Sequence, residues 1–262
     1  MLVQVSLDGS TPEINDWNRG EGSFEKAMKG IELLNKYNVR FRIAYCVMKH
    51  NVKDVEKMCD LAVKLHAEEI AFRKVKLIGR AKKIADEIYP SIKDMVYVYS
   101  VLHNKSIELG NKIRMNVKYN NEFQGGKGHC ELLSCSMGKY MIHIAADGRI
   151  LPCSLLSQDE FCLGDIRKDD LKEIWYKSGF LNKFRNLKVE SIEECKNCKI
   201  KYICGGGCRA ESLSEYSDLM KGSGDCKDLR CYFKIVFDET IAQTKPISFG
   251  VKEPFFQRGV KT

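Results

Sequence analysis

No stretch of this 262-residue sequence approaches the roughly 20 consecutive apolar residues that a membrane-crossing helix needs. No basic and apolar leader opens it. Both absences point to a cytoplasmic protein with no membrane partner. The formal charge of +8 is not gathered in one place, because the lysines are spread among glutamates. No basic stripe interleaved with aromatics is present, and no recognition motif, which excludes nucleic acid as the expected partner. Internal repeats and low-complexity segments are lacking too. Cysteine is scarce in the first 80 residues, which hold only Cys46 and Cys59.

The other ten of the twelve cysteines fall between Cys130 and Cys231, so the two halves of the chain follow different rules of construction. With 44% hydrophobic residues the chain is able to bury a core, and two domains are expected. In a reducing compartment many closely spaced thiols argue for metal ligation over disulfides. A secreted disulfide scaffold is the rival reading, and the lack of a leader speaks against it.

Along the N-terminal half, Val3, Val5 and Leu7 alternate with Gln4, Ser6 and Asp8. A strand does this when one side meets an apolar layer and the other a polar cavity. Asp8-Gly9 ends it. Ser23 is the expected N-cap of a helix whose Phe24, Ala27, Ile31 and Leu34 share one face, with Asn38 closing it. A strand over Val39 to Met48 follows. Asn51 then caps a helix with the stripe Val52, Val55, Cys59 and Ala62, and a third strand runs from Glu69 to Val75. Strand and helix units of this length favour right-handed parallel crossovers. Ser91 and Asp94 form a capping box for a helix through Met95, Val98 and Leu102 to Gly110, expected to bridge the halves. Asn120 to Gly128 reads as a loop.

In the second half, Cys195-x2-Cys198-x5-Cys204-x3-Cys208 packs four thiols into fourteen residues. Its Gly205-Gly206-Gly207 insert lets the backbone bend closely around a bulky centre. Upstream, Met141 to Ala146, Asp147-Gly148 and Arg149 to Cys153 read as a hairpin that returns Cys153 toward Cys135. Pro152 cannot donate a ladder hydrogen bond, so the returning strand is expected at a sheet edge. A tetrahedral zinc on Cys195, Cys198, Cys204 and Cys208 is the plainer alternative, but it leaves Cys130, Cys135, Cys153 and Cys226 unexplained. Eight such thiols suit two cubane clusters. Cys46, Cys59 and Cys162 read as core packing, and Cys231 as a possible substitute for Cys226.

Cys135-x12-Gly148-x4-Cys153 is followed by Leu163-Gly164-Asp165-Ile166, a Leu171 to Trp175 helix, the four-cysteine run and a trailing Cys226. This order resembles the SPASM signature of radical-SAM maturases. The resemblance implies two auxiliary [4Fe-4S] clusters, the first on Cys130, Cys135, Cys153 and Cys208, the second on Cys195, Cys198, Cys204 and Cys226. Val5-Ser6-Leu7-Asp8-Gly9, Asn15-Asp16-x2-Arg19 and Gly22-Ser23-Phe24 resemble the fourth strand of a radical-SAM barrel and the turn after it, and the likeness continues through Asn51 and Gly79-Arg80-Ala81. It implies that Ser6 and Asp8 meet the ribose or substrate of S-adenosyl-L-methionine and that Arg19 pairs with its carboxylate. Arg73 is a further candidate of this kind. Capping of a strand end by Ser6 and Asp8, and a surface ion pair for Arg19, remain as alternatives.

The expected fold class is α/β, a partial radical-SAM (β/α) barrel of about three parallel strands followed by a small cysteine-rich SPASM domain. The half barrel is assigned to residues 1–80, a helical bridge and loop to 81–128, the SPASM domain to 129–235 and a tail to 236–262. The family's CxxxCxxC loop occurs nowhere in the 262 residues, so the sequence reads as N-terminally truncated, a fragment, or a half that needs a partner. In the complete enzyme the resemblance implies reductive cleavage of S-adenosyl-L-methionine to a 5′-deoxyadenosyl radical, acting on a peptide or protein substrate. It also implies an electron donor such as a flavodoxin or ferredoxin. The alternatives are a non-catalytic iron–sulfur electron-transfer or substrate-docking module and a zinc-stabilised structural protein.

Overall fold

The computed structural model describes residues 2–118, 135–197, 201 and 205–222. Its first part is a parallel sheet in the order β1 (Val3–Ser6), β2 (Phe41–Val47), β3 (Glu69–Lys74) and β4 (Arg114–Lys118). Sequential order with a helical crossover between each pair is the progression of a barrel. A doubly wound sheet would reverse direction and cover both faces. Here one apolar layer lies on one face of the sheet. Ile31 of α2 (Ser23–Lys36), Val55, Met58, Cys59 and Ala62 of α3 (Val55–Lys64), and Met95, Val98 and Leu102 of α6 (Ile92–Leu109) pack on Phe41, Ile43, Tyr45, Ile70 and Phe72. Between β1 and α2 lies α1 (Pro12–Arg19), and between β3 and α6 lie the short α4 (Arg80–Lys83) and α5 (Ala85–Ile88). No helix among the described residues is long and apolar enough to cross a membrane.

In this first part four expectations need correction. The sheet has four strands where about three were expected, because β4 lies inside the segment assigned to bridge and loop. The α6 helix, capped by Ser91 and Asp94 as the capping box required, is the crossover from β3 to β4. Lys105, almost buried, ties it to Asp60 of α3 at 2.8 Å. Ser23 is not an N-cap: Gly22, at φ +72°, takes that place. The Asp16 carboxylate accepts from Gly22 N–H (2.7 Å) and Phe24 N–H (2.8 Å) and so does the capping. Hydrogen bonds from Asn15, and further ones from Ser23 and these amides, hold the Asp16 carboxyl down at about 2. Asn51 caps nothing through its side chain. Fully buried, it accepts from Met48 N–H and donates to the carbonyls of Asp8 and Cys46, stitching the exit of β1 to the exit of β2.

The second part holds a three-stranded antiparallel sheet in the order β5 (His143–Ile144), β6 (Arg149–Leu151) and β7 (Gly164–Asp165). The expected hairpin is present, with Gly148 at φ +91° in its turn. The returning strand is central, however, and not at an edge, since β7 pairs on its other side. Pro152 is compatible with this because it falls one residue past the last paired position and ends the strand. Asp170 caps α7 (Leu171–Lys177) and Ser178 caps α8 (Gly179–Arg185). The last described helix is α9 (Arg209–Tyr216).

Replacing Asn51 by Ala strands one buried N–H and two carbonyls, so destabilisation of roughly 2–4 kcal/mol is expected. Urea unfolding followed by the Trp17 fluorescence of a Trp175→Phe background measures it. An unchanged midpoint would show that the stitch between β1 and β2 is dispensable.

Candidate functional site

Register lines up the sheet face opposite the helices into rows. Gln4, Arg42, Glu69 and Arg114 form the first row, and Ser6, Ala44, Ala71 and Asn116 the second, with Cys46 beside Arg73 near the strand exits. The first row is a polar floor around the buried Glu69. Arg114 Nε reaches Glu69 Oε2 at 2.7 Å, Asn116 Nδ2 reaches Oε1 at 3.0 Å, and Arg42 Nε donates to Gln4 Oε1 at 2.9 Å. Three of the four side chains in the second row, Ser6, Ala44 and Ala71, are small. Ser6 stands in that row, half-buried.

Just past β1, Asp8 is wholly shielded from solvent. Its Oδ1 accepts from Cys46 N–H at 2.8 Å, and its Oδ2 takes Asn18 Nδ2 at 2.7 Å and Arg19 Nε at 2.8 Å. Asn15 Oδ1 accepts from Asp8 N–H at 2.9 Å. Arg19 keeps about a third of its side chain exposed (32%). Burial, and after it the charge of Asp8, pushes the Cys46 thiol up to about 12. At the same end of the sheet Trp17 lies over His50 with ring centroids 3.9 Å apart, and burial lowers the pKa of the imidazole.

In the second part, Cys135, Cys153 and Cys208 pack around one apolar cluster of Met137, Leu156, Phe161, Phe184 and Ala210. Burial pushes the Cys153 thiol up, and the charges of Cys135 and Cys208 act on it in the same direction. Cys195 is buried between two glycines: a Cβ on Gly206 would come within 2.5 Å of Ile192 Cδ1, and one on Gly222 within 3.3 Å of Cys195 Sγ. Gly205, Gly206 and Gly207 all have positive φ, at 60°, 74° and 76°, a run that residues with a Cβ rarely adopt. Arg209, 1% exposed, holds this turn by donating to the carbonyls of Gly206 and Gly207, and reaches the Lys221 carbonyl at 2.8 Å. Cys130, Cys198, Cys204 and Cys226 lie outside the described residues, as does Cys231.

Residues 135–199 match the family model of SPASM, an iron–sulfur cluster-binding domain. The fold superposes on that of anSMEcpe with bound AdoMet with a TM-score of 0.67 at 24% identity, covering 92% of this chain and 68% of that one. The chain thus carries a SPASM-type segment on a fold similar to that of anSMEcpe. It is 27% identical over 246 residues to the AdoMet-dependent heme synthase of Methanosarcina barkeri, covering 86% of this chain and 66% of that protein. To the mycofactocin maturase MftC of Mycolicibacterium smegmatis it is 27% identical over 214 residues, covering 79% of this chain and 52% of that one. The chain thus spans between half and two thirds of the length of these relatives.

Soft thiolates, a glycine-lined turn and buried sulfur fit an iron–sulfur group. Among the described residues no three His, Cys, Asp or Glu side chains close on a single metal ion. A cubane, being larger than an ion, spreads its ligands wider. Two cysteines behave as the core reading expected, Cys59 fully so and Cys46 in part, but Cys162 is exposed and donates to the Gly164 carbonyl instead of packing. Sequence reasoning also missed Asn18 and the clamping role of Asn51. An Asn just past a strand marks Asn51 in the sequence, whereas Asn18 lies in the last turn of α1 and carries no such mark.

These surroundings predict contrasting thiol reactivity. Iodoacetamide at pH 8, read by peptide mass mapping of the folded chain, is expected to label Cys162 quickly and Cys46 and Cys59 at least tenfold more slowly, since alkylation needs exposed thiolate. Equal rates would contradict the burial of Cys46.

Proposed function

We propose that these residues serve a radical-SAM maturase that modifies a side chain of a peptide or protein. In this reading the SPASM domain holds two [4Fe-4S] clusters, on Cys130, Cys135, Cys153 and Cys208 and on Cys195, Cys198, Cys204 and Cys226. The observation that carries it is the meeting of Cys135 and Cys153, from the matched segment, with Cys208 from beyond it. The clusters, when bound, supply one-electron transfer, for which a flavodoxin or ferredoxin is a suitable external donor. Relatives point to the substrate class: one is named a mycofactocin maturase, and anSMEcpe superposes equally well with AdoMet and the Cp18Cys peptide bound, at a TM-score of 0.66.

The sheet contributes the nucleoside side. Strand exits of parallel βα folds are where ligands bind, and Ser6, Asp8 and Arg19 stand there. Ser6 offers a hydroxyl to a ribose. Both Asp8 oxygens are already engaged, so its part is to fix Arg19 through Nε and leave the terminal guanidinium nitrogens for the methionine carboxylate of S-adenosyl-L-methionine.

Anaerobic reconstitution is expected to give about eight irons and eight sulfides per chain. Cys153→Ala and Cys195→Ala are each expected to lose roughly half, as is Cys226→Ala, whereas Cys231→Ala loses none. Stoichiometric zinc without sulfide would falsify the reading. Tight binding of a heme precursor with no peptide binding would move the substrate class toward that of the M. barkeri relative.

A further inference from the structure

The loop that leaves β3, residues 75–79, belongs to both parts of the molecule. At its start Val75 N–H still pairs with the Val47 carbonyl at 3.0 Å, continuing the sheet. Two residues on, the Leu77 carbonyl accepts from Ser214 Oγ of α9 at 2.8 Å. Ile78 then packs into the apolar cluster that carries Cys135, Cys153 and Cys208. Between these anchors Lys76 Nζ lies 3.5 Å from Glu211 Oε2, a carboxylate only 13% exposed in the first turn of α9, the helix that starts directly after Cys208. A lysine of the loop that leaves β3 is thereby paired with a carboxylate one turn beyond Cys208.

We propose that Lys76, held in place by Glu211, sets the reduction potential of the iron–sulfur cluster carried by Cys135, Cys153 and Cys208. This rests on the reading that those thiols hold such a cluster. Reduction takes one electron from an external donor and adds one negative charge to the cluster, with no bond made or broken. A fixed cation nearby stabilises the reduced form and raises the potential, and a fixed anion lowers it. The placement follows from geometry: Glu211 lies three residues past Cys208, and Ile78, two residues on from Lys76, packs in the same cluster as Cys135, Cys153 and Cys208. Glu211 orients the ammonium and offsets part of its effect. Lys76 also leaves the sheet two residues past the last strand position of β3, so the loop that tunes the cluster is an extension of the strand bearing Arg73.

The test is a redox titration of the reconstituted 262-residue chain, followed by visible absorption and electron paramagnetic resonance. Lys76→Met is expected to lower one couple so that the ratio of reduced to oxidised cluster at a fixed potential falls about tenfold, near 59 mV for a one-electron couple. Lys76→Arg keeps the wild-type value. Glu211→Gln, which retains a hydrogen-bond partner but removes the opposing charge, raises the couple. A merely structural loop contact predicts no shift, or shifts of the same sign in Lys76→Met and Glu211→Gln, and either result overturns the proposal. If Lys76→Met fails to load iron, the sign of the Glu211→Gln shift decides alone. Wild-type protein that forms no iron–sulfur chromophore sinks the underlying cluster reading, a failure distinct from couples that form and do not move.

Discussion

A carboxylate with no exposed surface is tolerated only when its charge and its lone pairs are both answered, and Asp8 is the place where this chain meets that demand. Arg19 answers the charge. Asn18 and the Cys46 amide fill the oxygens, while Asn15 and Asn51 take up the Asp8 backbone. Because these partners come from α1, from β2 and from the turn after β2, satisfying one group fixes three segments at the strand exits. Removing a single partner from a buried charge of this kind typically costs about 3–5 kcal/mol. The same contacts that make Asp8 tolerable therefore hold the strand exits in one geometry, with Arg19 held by a bond at Nε and a third of its side chain left exposed.

The cysteine-rich part solves a different problem. Its sheet has three short strands, too little for a large core, and its apolar cluster is small. Organisation comes instead from caps and turns. Asp165 receives hydrogen bonds from the Arg167 side chain and amide, which hold its carboxyl well below the usual range. Arg185 joins α8 to the Gly138 carbonyl at 2.7 Å and lies over Trp175 at 4.8 Å. Arg209 cinches the triple-glycine turn. A scaffold with so few strands leaves bound metal as the natural remaining source of stability.

Much of this was legible in residue order. Strict alternation in Phe41–Val47 and the 3–4 spacing of Val55, Met58, Cys59 and Ala62 follow from burial on one face, and periodicity reports that directly. The Ser91–Asp94 box was legible because both partners are local. What failed was non-local. Ser23 looks like a cap, but the Asp16 carboxylate seven residues earlier displaces it, and charge outcompetes a hydroxyl at a helix N-terminus. The Arg114–Lys118 strand is short, charged and half polar because one side of it meets the Glu69 floor, so no apolar run announces it. Cys162 sits beside Phe161 and Leu163, which suggested burial, yet it follows the 3-10 turn Asp159–Phe161 in extended backbone with its side chain exposed.

The loop 75–79 shows why a sheet and a metal domain of such different construction need a specific joint. Each part satisfies its own backbone, so surface apposition alone would leave them free to slide. Ile78 supplies the apolar contact and Ser214 a directional bond to the Leu77 carbonyl, which together set register. Lys76 and Glu211 add a charge pair at the edge of the thiol cluster. A single half-buried pair gains little net stability, because the desolvation of its charges offsets their attraction. Its placement is better explained by what a fixed cation does to a neighbouring group whose charge changes than by any gain in folding.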